Sequence, residues 1–218
     1  MSERFNRPPI KICGLTRVED ARLAWELGAS ALGFVFHARS PRNVSTDQVT
    51  DIRRQLPPEA FCVGVFVDRS VEDIHETART AGLSAVQLHG FETPETCAEL
   101  ARLGWPVIKV IRAEDEGRLD DFPAAAFLLD AAHPSLPGGT GLKADWGLAA
   151  RIAQTHPLIL AGGLDPSNIL EAIETVHPAA LDLSSGVEAS PGVKDPIKLR
   201  TLFSELDMKG IRPCLIHP

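Results

Sequence analysis

Nowhere in this chain do about 18 uncharged apolar residues run together, the length a helix needs to cross a bilayer, and the opening MSERFNRPPIKICG has no apolar stretch of signal-peptide length. There is also no long Lys/Arg run, and the formal net charge is -7. Neither nucleic acid nor an anionic membrane is therefore expected as the main partner, although a local basic pocket can still hold a phosphate. The four cysteines, Cys13, Cys62, Cys97 and Cys214, lie far apart and form no CxxC pair. That spacing indicates neither a structural zinc site nor a redox dithiol, and leaves reduced thiols as the expectation. No Gly/Ser linker or compositional break divides the chain. Together these absences lead to the expectation of a soluble, cytoplasmic protein with a small ligand.

What is present is a length of 218 residues with 44% hydrophobic and 23% charged content, enough to bury one full core. Short apolar runs alternate with amphipathic charged stretches eight times, the pattern of strand-helix units over a parallel sheet. The strands are expected at Pro9 to Cys13, Ala31 to Phe36, Cys62 to Val67, Ala85 to Leu88, Val107 to Ile111, Ala125 to Asp130, Leu158 to Ala161 and Ala180 to Leu183. Helices are expected at Val18 to Leu27, Thr46 to Gln55, Val71 to Ala81, Pro94 to Leu103, Asp115 to Asp120, Trp146 to Gln154, Pro166 to Thr175 and Asp195 to Leu206. Ser45, Ser70 and the pair Asp165-Pro166 supply helix-start signals. The fold class this predicts is α/β, a single (β/α)₈ barrel spanning residues 1–218, with 1–8 and 210–218 as terminal extensions. A doubly wound open sheet is the structural alternative.

Barrel enzymes carry their chemistry where strands end, so the residues just past each strand are the place to search. Strand alternation puts Lys11 and Cys13 on one face and Ile10 and Ile12 on the other, which aims Cys13 into the barrel mouth. A thiol there is either a packed small hydrophobe or a base, and a base needs its pKa lowered by a cation such as Lys11 or by local donors. Asp130 ends an apolar strand, where a carboxylate needs a partner or a raised pKa, and a raised pKa suits a general acid. Gly162-Gly163 after the seventh strand and Ser184-Ser185-Gly186 after the eighth have the composition of a phosphate cradle. Pro137 to Gly141, with Gly139 and Gly141, is either a closing loop or a plain connection, and does not match a P-loop. Arg42 offers a guanidinium for a substrate carboxylate. Gln87 and His89 are candidate pocket groups, and Asp182 shares parity with Ser184 and is expected to pair with Lys11.

Taken together, KICGLT, GFVFHARSPRNVS, VGVFVD, VQLHG, LLDA followed by GGTG and ADW, LAGGLDPSNI and LDLSSGVEASPGVKD resemble the phosphoribosylanthranilate isomerases of tryptophan synthesis, in order, from Ile10 to about Leu206. The resemblance implies an Amadori rearrangement of a phosphorylated aminosugar, without metal or organic cofactor, in a monomer or homodimer. It implies Cys13 as the base at C2', Asp130 as the acid at the ring oxygen, Arg42 on the anthranilate carboxylate and the last two loops on the phosphate. One departure is Ala144, where the family usually has an aromatic before Asp-Trp. Two other readings remain: a Schiff-base lyase or aldolase on Lys109, and a phosphosugar-binding barrel without turnover.

Overall fold

The computed structural model describes residues 8–130 and 145–208. Eight strands close into one parallel barrel: β1 (Ile10–Ile12), β2 (Ala31–Val35), β3 (Cys62–Phe66), β4 (Ala85–Leu88), β5 (Val107–Ile111), β6 (Ala126–Leu129), β7 (Leu158–Leu160) and β8 (Ala180–Leu183). Each expected strand is present, trimmed by at most one residue at either end. The last strand pairs with the first in the register Ile10↔Leu181, Lys11↔Asp182 and Ile12↔Leu183, which closes the ring.

The period of two along the strands sorts the apolar residues into two cores. Ile10, Ile12, Phe34, Phe66, Leu88 and Leu181 belong to the large outer core between sheet and helices. Their sequence neighbours of opposite parity, Val63, Ala85, Ile108, Val110, Leu128 and Ile159, fill the barrel itself, joined by Ala31, Ala126 and Ala180. The barrel is therefore packed, and its mouth is left to the polar residues that follow the strands.

The helices begin where side chains cap them. Ser45 accepts from Gln48 N at α2 (Thr46–Arg53), and Ser70 accepts from Asp73 N at α3 (Val71–Thr80). Thr93 caps α4 (Pro94–Arg102), which has Pro at its first turn, and Asp145 caps α5 (Trp146–Ala153). The first unit uses α1 (Val18–Glu26). Two helices differ from expectation. The segment after β5 is a 3₁₀ helix, Ala113–Asp121, because AEDEGRLDD presents one buried side chain, Leu119, and no apolar stripe to hold an α-helix against the barrel. The helix expected from Pro166 begins later, as α6 (Ile169–Val176). Asp165 Oδ1 instead accepts from Ser167 N at 2.7 Å, while Asn168 Oδ1 accepts from Asp165 N at 3.0 Å, so side chains hold the first residues in a turn.

Between β8 and α7 (Pro196–Met208) lies a hairpin that the sequence pattern did not announce, β9 (Glu188–Ser190) against β10 (Val193–Lys194). It docks on the loop after β1 and the first turn of α1: Thr16 Oγ1 donates to Gly192 O at 2.5 Å and Lys194 N to Asp20 Oδ2 at 3.0 Å. This docking brings Glu188 and Lys194 beside Cys13.

Lys109 does not point into the barrel. Its flanking residues Ile108 and Val110 face the interior, so Lys109 faces out, where Nζ meets Glu92 Oε2 at 2.7 Å and Gly90 O at 2.9 Å. Glu92 also accepts from Asp68 N at 2.9 Å and Gly90 N at 3.0 Å, tying the loops after β3 and β4 together. This placement removes the lysine on which the aldolase reading stood. Both side chains of the pair are almost wholly buried. Glu92→Gln strands the Lys109 charge, and is expected to lower unfolding free energy by about 3–5 kcal/mol in urea titration; a loss under about 1 kcal/mol would show that the pair does not pin these loops.

Candidate active site

Cys13 follows β1, its amide donating to Leu183 O at 2.8 Å, and its side chain is buried at the mouth. Lys11 lies one pleat below, with Nζ 2.9 Å from Asp182 Oδ1. The expected pairing of Lys11 with Asp182 is thus present, and it holds Lys11 above the usual lysine range although burial opposes it. Burial is the largest influence on Cys13 and pushes the thiol up; the charge and hydrogen bond of Lys11 pull the other way without overcoming it. The expectation that Lys11 lowers the Cys13 pKa is met in direction but outweighed, so the unliganded protein carries a thiol at neutral pH.

Asp130 follows β6, and His89 Nε2 stands 3.8 Å from its Oδ2. Burial, with the positive charges of Lys11, Lys109 and Arg112 and the His37 ring, pushes His89 down to about 4. The contact is therefore between a neutral imidazole and the Asp130 carboxyl rather than a salt bridge. Gln87, buried in the same strand face, sits with Nε2 at 3.2 Å from His89 Nδ1, so it orients the ring from behind.

Arg42 is held by a partner the sequence reading did not assign. Its Nε donates to Glu188 Oε1 at 2.9 Å and its Nη2 to Oε2 at 2.6 Å. Lys194 Nζ donates to Glu188 Oε1 at 2.9 Å, to Cys13 O at 2.6 Å and to Ser184 O at 3.1 Å. Burial works against the Glu188 charge, but Arg42 and Lys194 together hold it below the usual carboxylate range. Burial pulls Lys194 below the usual lysine value, against Glu188. The motif SSGVEASPGVKD held both residues, and only the hairpin brings them to the rim.

Ser184 directly follows β8, and Ser185 opens a single 3₁₀ turn, Ser185–Val187. Gly186 presses on the neighbouring loop so closely that a Cβ there would overlap Leu164 O, which is why the eighth loop needs glycine to lie against the seventh. Gly162 and Gly163 adopt φ of 84° and 65°, and their amides donate to no acceptor among the described residues. Asn168, another residue the sequence reading missed, braces this loop by donating to Gly163 O at 2.8 Å. Gly139 and Gly141 lie outside the described residues, as does Ala144. A separate cavity of about 400 Å³, lined by His37, Asn43, Ser45 and Arg69 among others, lies beside the rim without touching Cys13 or Asp130.

A closed eight-stranded barrel whose rim gathers a thiol, a carboxyl group and two adjoining glycine loops defines a (β/α)₈-barrel enzyme with acid–base groups at its mouth. Residues 10–205 match the family model described as N-(5'phosphoribosyl)anthranilate (PRA) isomerase. The chain is 50% identical over 194 residues to the N-(5'-phosphoribosyl)anthranilate isomerase of Geobacter metallireducens, covering 88% of this chain and 95% of that one. It superposes on the crystal structure of phosphoribosyl anthranilate isomerase from Thermus thermophilus with a TM-score of 0.83 at 42% identity, covering 92% and 98% of the two chains. A phosphoribosyl anthranilate isomerase solved with reduced 1-(o-carboxyphenylamino)-1-deoxyribulose 5-phosphate matches at TM-score 0.80 and 38% identity, over 93% of this chain and all of that one. The chain belongs to the phosphoribosylanthranilate isomerase family.

Two measurements check the electrostatics. The pH profile of Cys13 alkylation by iodoacetamide, read by peptide mass mapping, should still be climbing at the ordinary cysteine value of 9.0; a plateau at neutral pH would contradict a raised thiol. As for His89, its ordinary value of 6.5 falls to about 4 on folding. Between these values the unfolded chain binds the extra proton, so stability falls as pH falls through that window. His89→Asn should flatten that limb of the stability curve, and an unchanged limb would place the acid lability elsewhere.

Proposed function

We propose that Cys13 is the general base and Asp130 the general acid of the Amadori rearrangement of N-(5-phosphoribosyl)anthranilate to 1-(2-carboxyphenylamino)-1-deoxyribulose 5-phosphate. The observation that carries these roles is the order around the barrel: β1 and β6, which Cys13 and Asp130 directly follow, are separated by β7 and β8, whose loops adjoin through Gly186 and Leu164. A phosphate on Gly162, Gly163, Ser184, Ser185 and Gly186 therefore lies between acid and base, and a sugar built on it reaches both.

Asp130 protonates the ribose ring oxygen; the ring C–O bond breaks and the nitrogen lone pair forms a protonated Schiff base at C1'. That cation acidifies the proton at C2', which passes to the Cys13 thiolate as the C2'–H electrons form the C1'=C2' bond and the C=N π electrons return to nitrogen. The resulting enol-amine ketonises to the aminoketose. C1' is reduced as C2' is oxidised, so electrons balance within the substrate and acid–base groups suffice. Cys13 must first release its thiol proton to solvent; Lys11, held cationic by Asp182, stabilises the thiolate so formed, which becomes a neutral thiol again as it takes the C2' proton. His89 faces the Asp130 carboxyl as a neutral ring, Gln87 orients it, and Asp182 supports the site from below. Arg42 receives the anthranilate carboxylate.

Gly139 and Gly141 belong to the substrate-binding set in this reading. All of these groups come from one chain, so one barrel holds a complete site whether it works as a monomer or in a homodimer. Cys13, Cys62 and Cys97 are free thiols, which supports a reducing compartment, the cytoplasm, as the setting.

Cys13→Ala and Asp130→Asn should keep the wild-type unfolding midpoint and bind the reduced product analogue, while kcat falls by about 10²–10⁴ in each. The fluorescence time course of freshly made substrate reads this directly, and near-wild-type turnover in either variant would sink the corresponding role.

A further inference from the structure

A guanidinium can grip a carboxylate along two edges, side-on through Nε and Nη2 or end-on through Nη1 and Nη2. In Arg42 the side-on edge is taken by Glu188, with both bonds short and the carboxylate almost wholly buried. The end-on edge is not used by Glu188, and Arg42 keeps 14% of its side-chain surface exposed where Glu188 keeps 4%. The stem of Arg42 lies over Gly14, where a Cβ would collide with Arg42 Cδ, and Arg42 N donates to Ser40 Oγ at 3.1 Å.

Glu188 is fixed in turn. It accepts from Lys194 Nζ at 2.9 Å and from Gly192 N at 3.2 Å. Lys194 spends its other hydrogens on the carbonyls of Cys13 and Ser184, so the Glu188 carboxylate is anchored to the ends of β1 and β8. Arg42, Lys194 and Glu188 together carry one net positive charge, which an incoming carboxylate neutralises.

We propose that Glu188 is a positioning residue that sets the direction of the Arg42 end-on edge, and thereby gives the site its selectivity for a ligand bearing an aromatic carboxylate. The inference rests on the assignment of Arg42 as the carboxylate holder. A preset fork spares the ordering of a long side chain when the ligand arrives, so the gain appears as discrimination rather than as general affinity.

The test compares two ligands by calorimetry: the reduced product analogue, reduced 1-(o-carboxyphenylamino)-1-deoxyribulose 5-phosphate, and its phenyl counterpart without the carboxyl group. Wild type should prefer the carboxylated ligand by about 10–100-fold, the range of charge-assisted hydrogen bonds. Glu188→Asp keeps the charge but is one methylene too short to hold Arg42 and Lys194 together, and should bring the preference to within about threefold while the phenyl ligand binds as before. A full preference in Glu188→Asp would overturn the proposal. Should that variant fail to fold, Glu188→Gln decides: a lost preference supports positioning, and a kept or increased one shows Glu188 to be only a counter-charge. A wild-type protein that does not distinguish the two ligands would instead overturn the assignment of Arg42.

Discussion

Lys11 and Asp182 meet in register across the seam between β1 and β8, 2.9 Å apart inside the barrel. Opposite charges at that depth persist only as a pair, since removal of either leaves the other uncompensated in a low-dielectric interior. Their parity places Lys11 two residues below Cys13 and Asp182 two below Ser184 on the same faces, so the ion pair forms a charged floor under the rim that carries them. Its influence reaches both sides of the mouth. Lys11 is the main counterweight to the burial that raises Cys13, and after burial it is the first of the charges that keep His89 neutral.

The rim is built in two tiers of different stiffness. Beneath and behind it, hydrogen bonds to carbonyls and carboxylates leave little freedom: Lys194 spans Cys13, Ser184 and Glu188, and Glu92 spans the loops after β3 and β4. Above it, the thiol rests protonated and the amides of Gly162 and Gly163 have no acceptor among the described residues. A site with committed supports and uncommitted contact groups is preorganised for an anionic ligand, because the ordering cost lies in folding rather than in binding.

Much of this was legible before any fold was available. Period-two apolar runs marked all eight strands, and strand parity put Cys13 and Lys11 on one face and predicted the Lys11–Asp182 pair. The misses have physical reasons. The position of Asp115 to Asp120 in the repeat predicts a helix, but a single buried Leu119 cannot hold an α-helix there. Proline tolerates the first turn, which predicts a helix start at Pro166, whereas the Asp165 and Asn168 side chains outcompete the helix for the local amides. Lys109 attracted an aldolase reading because mid-strand lysines in barrels invite one, and only parity against Ile108 and Val110 turns it outward.

The sequence by itself determined the fold class, the family and the strand ends that carry Cys13, Asp130 and the last two glycine loops, because these depend on local periodicity and on motifs contiguous in the chain. Tertiary structure alone decided what those groups feel. That Cys13 rests as a thiol, that His89 is neutral beside Asp130, and that Arg42 is gripped by Glu188 from 146 positions away all follow from burial and from contacts between distant segments. Desolvation and Coulomb energy depend on distances in space, and no spacing along the chain encodes them.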